Sequence, residues 1–215
     1  GSREPKGDAE INLNALKTLQ SNQSDEHTLQ IQWLYEKTHL SIAENRLNQA
    51  QLIIDALFGT GLDRPVKGLY ADLIDLINDR IEGSFTDIPV VAVDIPSGIS
   101  GETGQVMGTA VKAARTVTFG YPKSGHLLFP GREYTGELHV VPISLSGDSA
   151  YIMNSNMFTL NDKEAANMLK KRPRNSHKGT FGWVAVIAGS TGMTGAAHLT
   201  AQAAMRSGAG LVTLG

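Results

Sequence analysis

The chain has 215 residues, 41% of them hydrophobic and 19% charged, which is enough apolar material for one sizeable core or two small ones. A formal net charge of −2, with no run of Lys or Arg, gives no electrostatic footing for nucleic acid, and the absence of cysteine excludes disulfides, thiolate catalysis and Cys-ligated metal. No apolar run approaches the roughly 20 residues of a spanning helix and residues 1–8 are polar, so a soluble cytoplasmic protein with no membrane partner is expected.

Residues 8–19 (DAEINLNALKTL) start acidic and place Ile11, Leu13, Leu16 and Leu19 near helical spacing, which predicts an amphipathic helix. An α/β domain ordinarily opens on a strand, so an opening helix predicts that earlier residues of the domain are missing. Residues 29–51 are weakly patterned and are read as a short strand followed by a helix. Residues 51–58 (QLIIDALF) form a short apolar run ending in Gly59-Thr60-Gly61, the pattern of a strand buried on both faces and then a glycine turn. Residues 69–81 repeat apolar side chains at Leu69, Leu73, Leu76, Ile77 and Ile81, a helix, and residues 89–95 (PVVAVDI) are a second buried strand. Strand, helix, strand in about 45 residues is a βαβ unit, with parallel strands and a right-handed crossover. Residues 109–114 are read as helical, 116–119 as a strand, and 137–143 as the last strand of the first domain.

Residues 144–155 are polar and turn-rich and are the candidate linker. A helix over 159–171 is predicted to start with a Thr159/Asp162 cap. A strand at 182–188, a glycine loop at 189–195, an Ala-rich helix at 196–207 and a strand at 211–214 then make the opening βαβ of a second sheet. Alone it is too small to bury a core, so a continuation beyond Gly215 is expected.

Two carboxylates stand out, Asp55 inside an apolar strand and Asp94 near the end of another, where an ionised group is expensive unless paired or bound to a cation. In open parallel sheets ligands bind outside the carboxyl ends of the strands, where both runs enter glycine loops. Each Asp has two readings: it bonds loop amides and fixes a turn, or it serves a ligand. The loop Gly59, Thr60, Gly61, Leu62, Asp63, Arg64 and Pro65 is a tight turn or a phosphate cradle. Ser97 is a hard oxygen ligand or a turn cap. Gly189, Gly192 and Gly195 lie between strand and helix without forming GxGxxG, so a phosphate site and a plain βα turn both fit, and Lys178 is a cation near that loop or solvated surface. The six histidines show no zinc-ligand spacing, and no GxSxG elbow is present.

Taken together, IIDALFGTGLDRPVKG (residues 53–68), VVAVDIPSGISGETG (90–104) and TVTFGYPKSG (116–125) resemble the epimerase domain of the NAD(P)H-hydrate repair family. HKGTFGWVAVIAGSTGMTGAA (177–197), followed by MRSGAGLVTL, resembles the beginning of that family's ADP-dependent dehydratase domain. The resemblance implies an α/β fold, with a Rossmann-like three-layer epimerase domain over residues 1–145 and the start of a ribokinase-like α/β domain over 146–215, each incomplete. It implies interconversion of the R and S forms of hydrated NADH or NADPH (NADHX, NADPHX), and nucleotide-dependent return of the S form to NAD(P)H.

By the same resemblance, Asp55 and Ser97 are potassium ligands, and Gly59, Thr60, Gly61, Leu62, Asp63, Arg64, Pro65 and Asp94 contact the hydrated cofactor. Asp94 is the candidate catalytic acid/base at the hydrated nicotinamide carbon. Gly195, Ala196 and Ala197 match the substrate-contacting helix start of the dehydratase part, which uses ADP or ATP. A homo-oligomer is expected. The family's Asn-Asn-Gly-Gly-Asp loop and its later dehydratase residues do not occur in these 215 residues, so both activities are expected of an intact parent. The alternatives are a non-catalytic nucleotide- or partner-binding module with the epimerase fold, and a ribokinase-like small-molecule kinase.

Overall fold

A computed structural model describes residues 5–21, 29–82, 88–144, 157–169 and 171–215. The chain separates into two compact units, residues 1–149 and 150–215.

The first unit opens on α1 (Asp8–Ser21), which buries none of its residues and leaves Ile11 and Leu19 exposed. Residues 29–36 carry no strand, contrary to the sequence expectation; a 3-10 turn (Lys37–His39) leads directly into α2 (Leu40–Gln49). Here the Tyr35 amide donates to His39 Nδ1 at 3.2 Å and Trp33 stacks on Tyr35, so this segment folds on itself rather than along a neighbouring strand.

Next come β1 (Ile53–Asp55), α3 (Leu69–Glu82), β2 (Val90–Val93) and β3 (Arg115–Phe119). Two short helices, α4 (Ser124–Leu127) and α5 (Gly131–Thr135), precede β4 (Glu137–Val141). The four strands form one all-parallel sheet in the order β1-β2-β3-β4, with Asp55 paired to Ala92 and Val93 to Val117. Parallel pairing places all four carboxyl ends at one edge, and the βαβ expectation for β1, α3 and β2 agrees with it.

α3 seats Ile74 and Ile77 on Ile53 of β1 and Val90 of β2, with Val66 and Val111 closing the cluster. Full burial of one such aliphatic side chain stabilises by about 2 kcal/mol, so this face fixes α3 under the strands. Arg80 of α3 donates to the carbonyls of Leu47 and Asn48 at the end of α2, where a cation complements the unpaired C=O groups.

Residues 109–114 are not helical, which corrects the sequence expectation. Side chains of α3 capture this segment instead. Asn78 donates to the Ala110 carbonyl at 2.9 Å and accepts the Lys112 amide at 3.0 Å, while Thr109 donates to Asp75 at 2.8 Å. The Val111 and Ala114 amides go to Ser97 and Val90, so the groups a helix would pair internally are used elsewhere.

In the second unit, α6 (Asp162–Met168) is shorter than the expected 159–171 helix. Its cap is Asn161 with Glu164, not Thr159 with Asp162: Asn161 accepts the Glu164 amide at 2.9 Å while Glu164 reaches back to the Asn161 amide. A 3-10 turn (Lys178–Phe181) enters β5 (Trp183–Val186), and α7 (Gly195–Ser207) connects it to the parallel β6 (Leu211–Leu214). Much of this two-stranded sheet is open to solvent, with Trp183 and Leu214 exposed. The proposed linker, 145–155 in particular, lies outside the described residues. Among the described residues no helix is long and apolar enough to cross a membrane.

Candidate functional site at the strand ends

Asp55 closes β1 and is 1% exposed, beside Ser97 at 0%. The two are locked together: Ser97 donates its hydroxyl to Asp55 Oδ1 at 2.6 Å and its amide to Oδ2 at 2.8 Å. The Leu57 amide adds a longer bond to Oδ1, and the Phe58 amide donates to Ser97 Oγ at 2.9 Å. The turn leaving β1 and the turn leaving β2 are thereby tied through one carboxylate. Among the described residues no basic side chain pairs with Asp55, and its hydrogen-bond partners are all neutral donors.

Gly98 makes this junction possible. Its φ is +97°, and a Cβ there would lie 2.0 Å from the Thr109 carbonyl oxygen, so only glycine fits. Gly59 and Gly61 differ. Neither has a left-handed φ, and a Cβ at either would meet nothing within 4 Å. The chain's own packing does not require glycine at these two positions. Gly59, Thr60, Gly61, Asp63, Arg64 and Pro65 are exposed, while Leu62 turns inward against the core.

Asp94 follows β2 directly and carries a φ of 68°, a left-handed conformation that few non-glycine residues adopt. The turn is held because the Asp94 amide continues the ladder to Val117 of β3 at 2.8 Å, while the Ile95 amide folds back to the Val93 carbonyl. As a result the carboxylate points along the end of β3. Oδ1 accepts the Lys123 ammonium, the Thr118 hydroxyl at 3.1 Å and the Phe119 amide at 3.2 Å. Oδ2 has no hydrogen-bond partner among the described residues, and the side chain is 22% exposed. One oxygen is thus anchored and the other is open.

Lys123 spends all three ammonium protons locally, on Asp94, on Thr118 Oγ1 at 2.8 Å and on the Phe119 carbonyl at 3.1 Å. Burial raises the Asp94 pKa, but the bonds and charge from Lys123, with the Phe119 amide and Thr118 hydroxyl, outweigh it and hold the carboxyl below the ordinary Asp value. Beside this pair, His126 is 1% exposed and its Nδ1 accepts the Lys123 amide at 3.0 Å. Burial pushes its pKa below the ordinary histidine value, so the ring is neutral at pH 7.

The structure brings Asp55, Ser97, Asp94 and the loop from Gly59 to Pro65 to one sheet edge. The sequence reading missed Lys123, Thr118 and His126. Their one signal was the TVTFGYPKSG segment; that Lys123 reaches back to Asp94 depends on β3 lying beside β2. In donor chemistry, the Asp55 carboxylate, the Ser97 hydroxyl and the Phe58 carbonyl, 3.4 Å from Ser97 Oγ, form an oxygen-only set suited to a hard cation. Among the described residues no group of three or more His, Asp or Glu gathers as for a transition metal.

In the second unit Gly195 and Ala196 are exposed at the start of α7, whereas Ala197 is buried. A cavity of about 640 Å³ opens there, lined by Gly189, Ser190, Thr191, Thr194, Ala197 and His198. Gly189 and Gly192 take φ of +94° and +81°, which bend the loop back over the helix start. Another cavity, of about 250 Å³, lies between α2 and α3, lined by Glu44, Leu47 and Arg80 among others, and holds none of the candidate residues.

The sequence pattern of a family described as "YjeF-related protein N-terminus" matches residues 5–125. The chain is 38% identical over 180 residues to a bifunctional NAD(P)H-hydrate repair enzyme Nnr of Moorella thermoacetica, covering 84% of the chain and 33% of that relative. It is 43% identical over 175 residues to the enzyme of the same name from Coxiella burnetii, covering 81% and 35%. With an NAD(P)H-hydrate epimerase of Limosilactobacillus reuteri it shares 48% identity over 119 residues, covering 55% and 51%. The chain therefore spans a third to a half of the length of these relatives.

Proposed function

Because the chain belongs to the family of YjeF-related protein N-termini, we propose that its first unit is the epimerase part of an enzyme that repairs hydrated NADH and NADPH. The observation that carries this reading is the asymmetry of Asp94, with Oδ1 saturated by three donors and Oδ2 open at the carboxyl end of a parallel sheet. Epimerising a hydrate breaks a carbon–oxygen bond at the hydrated ring carbon and remakes it on the other face. A proton is delivered to the departing oxygen, and one is taken from the water that returns. With its carboxyl held ionised by the Lys123, Thr118 and Phe119 donors, Asp94 Oδ2 takes the proton from the returning water, and solvent supplies the proton to the departing oxygen.

Gly59, Thr60, Gly61, Leu62, Asp63, Arg64 and Pro65 form the substrate cradle. Open space where Gly59 and Gly61 lack a Cβ leaves room for the cofactor's phosphates against the backbone, with Arg64 as the nearby cation in sequence. Asp55 and Ser97 would hold a potassium ion, whose charge balances the buried carboxylate and favours anionic phosphate nearby. Gly195, Ala196 and Ala197 belong to the start of the dehydratase part, which in the longer protein takes the S epimer and ADP or ATP.

The test is calorimetric titration of NADHX into the protein in potassium and in sodium buffers of equal ionic strength, together with chromatographic loss of the R epimer in the full-length protein. Binding about tenfold tighter in potassium, with the R epimer converted, is the expected outcome. Equal binding in both buffers removes Asp55 and Ser97 as ion ligands; no binding at all removes the epimerase assignment for this chain.

A further inference from the structure

A fully buried imidazole is costly to place, and His126 is an unusual occupant of its position. Its Nε2 is buried and meets no partner at hydrogen-bond geometry, while the Asp94 main chain acts on the ring in the sense that favours its protonated form. An apolar side chain of similar size would fill the same space without that desolvation penalty. What an apolar residue cannot supply is the acceptor at Nδ1, which takes the Lys123 amide at 3.0 Å.

That one bond fixes the tautomer. Nδ1 is the acceptor, so the proton of the neutral ring resides on Nε2. The ring thus holds the main chain of Lys123, whose side chain forms the ion pair with Asp94. Its platform is rigid: the Gly125 amide donates to the Gly101 carbonyl at 2.9 Å, and a Cβ on Gly125 would fall 2.3 Å from the Ser100 carbonyl oxygen. α4 is therefore pressed against the loop that follows Ser97. Among the described residues the titratable groups that act on the ring are Asp94 and Lys123.

We propose that His126 is a positioning residue of the strand-end site, which holds the Lys123 main chain through Nδ1 so that the ammonium stays on Asp94 Oδ1 and leaves Oδ2 free. Its effect on turnover rests on the epimerase reading; its effect on the ion pair does not. With the acceptor lost, residue 123 is released at the entry to α4, and the Lys123 ammonium exchanges between Asp94 and water. The Asp94 carboxyl then loses part of the stabilisation of its ionised form.

Two substitutions separate this role from packing. His126→Asn can place an amide oxygen where Nδ1 lies. His126→Gln places its amide near Nε2 and leaves the Nδ1 position without an acceptor. The Asp94 side-chain carboxyl is followed by carbon-13 NMR through an acid titration in the unmutated chain and both variants, with the amide spectrum reporting that each is folded. The expected result is an upward shift of the Asp94 midpoint in His126→Gln and a value near the unmutated one in His126→Asn. Kinetically, kcat for loss of the R epimer falls about tenfold in His126→Gln with KM within about twofold, and His126→Asn recovers most of it. Identical Asp94 midpoints in all three proteins overturn the proposal, as does a shift in Asn equal to that in Gln. If the midpoints behave as expected while even the unmutated full-length protein converts no R epimer, the positioning role stands and the epimerase reading falls.

Discussion

The strand ends of the first unit and the glycine loop of the second face the same physical problem and solve it differently. Each is a parallel strand running into a glycine-containing turn. In the first unit the candidate groups are carboxylates, Asp55 at 1% exposure and Asp94 at 22%, and the chain supplies donors for them from Ser97, Leu57, Thr118, Phe119 and Lys123. In the second unit residues 189–196 are all exposed and what they offer is backbone, bent by Gly189 and Gly192 in left-handed conformations. Buried charge must be satisfied before any ligand arrives, so the first site is bound up with folding. An exposed glycine loop carries no such obligation. Substitutions at the buried groups of the first region should therefore register in stability and in activity together, and those in the exposed glycine loops of either region mainly in binding.

The largest effect that sharpens this contrast is expected at Gly98. Gly98→Ala forces a left-handed alanine into the Thr109 carbonyl and should cost on the order of 4 kcal/mol, read by urea denaturation. Gly192→Ala, with a φ of +81° but open space around it, should cost only about 1 kcal/mol. Next comes Asp55→Ala, which strands the Ser97 amide and hydroxyl and should remove about 3 kcal/mol; a loss no greater than that at an exposed carboxylate would break the contrast.

Acid should weaken the first unit in a definite direction. Asp94 is depressed, so its contribution is complete above the unfolded value of 3.8 and is lost as pH falls through the lower folded value. His126 is also depressed: the unfolded state binds the proton first, so stability declines as pH falls from 6.5 toward its folded value. His126→Asn should flatten the decline between pH 7 and the carboxylate range, measured as urea midpoint against pH. The smallest stability effect is expected at Gly59→Ala and Gly61→Ala, within about 0.5 kcal/mol because a Cβ there touches nothing. If those glycines make room for phosphate, NADHX binding should nevertheless weaken about tenfold; unchanged affinity would remove the loop from the cradle.

Much of the scaffold was legible in the sequence because apolar runs and helical spacing report burial directly. β1, α3, β2 and the βαβ of the second unit stand close to their expected positions. On α3, Ile74 proves to be the fully buried centre of the face. The failures share one cause, which is capture by partners distant in sequence. Residues 109–114 have the composition of a short helix, but Asn78 and Asp75 hold them extended from more than 30 residues away. Lys123 and His126 were invisible for the same reason, since their meaning depends on β3 lying beside β2 and on the turn at Asp94. The left-handed φ of Asp94 had no signal in its neighbours, and the contrast between a sterically required Gly98 and an unobstructed Gly59 cannot be read from composition.

If Asp94 Oδ2 takes the proton of epimerisation, Asp94→Asn should stop that transfer, because the amide keeps the shape and leaves the oxygen without its basicity. With the protein folded and NADHX still bound, single-turnover loss of the R epimer is predicted to slow by about a hundredfold or more. Conversion at the unmutated rate would contradict the account.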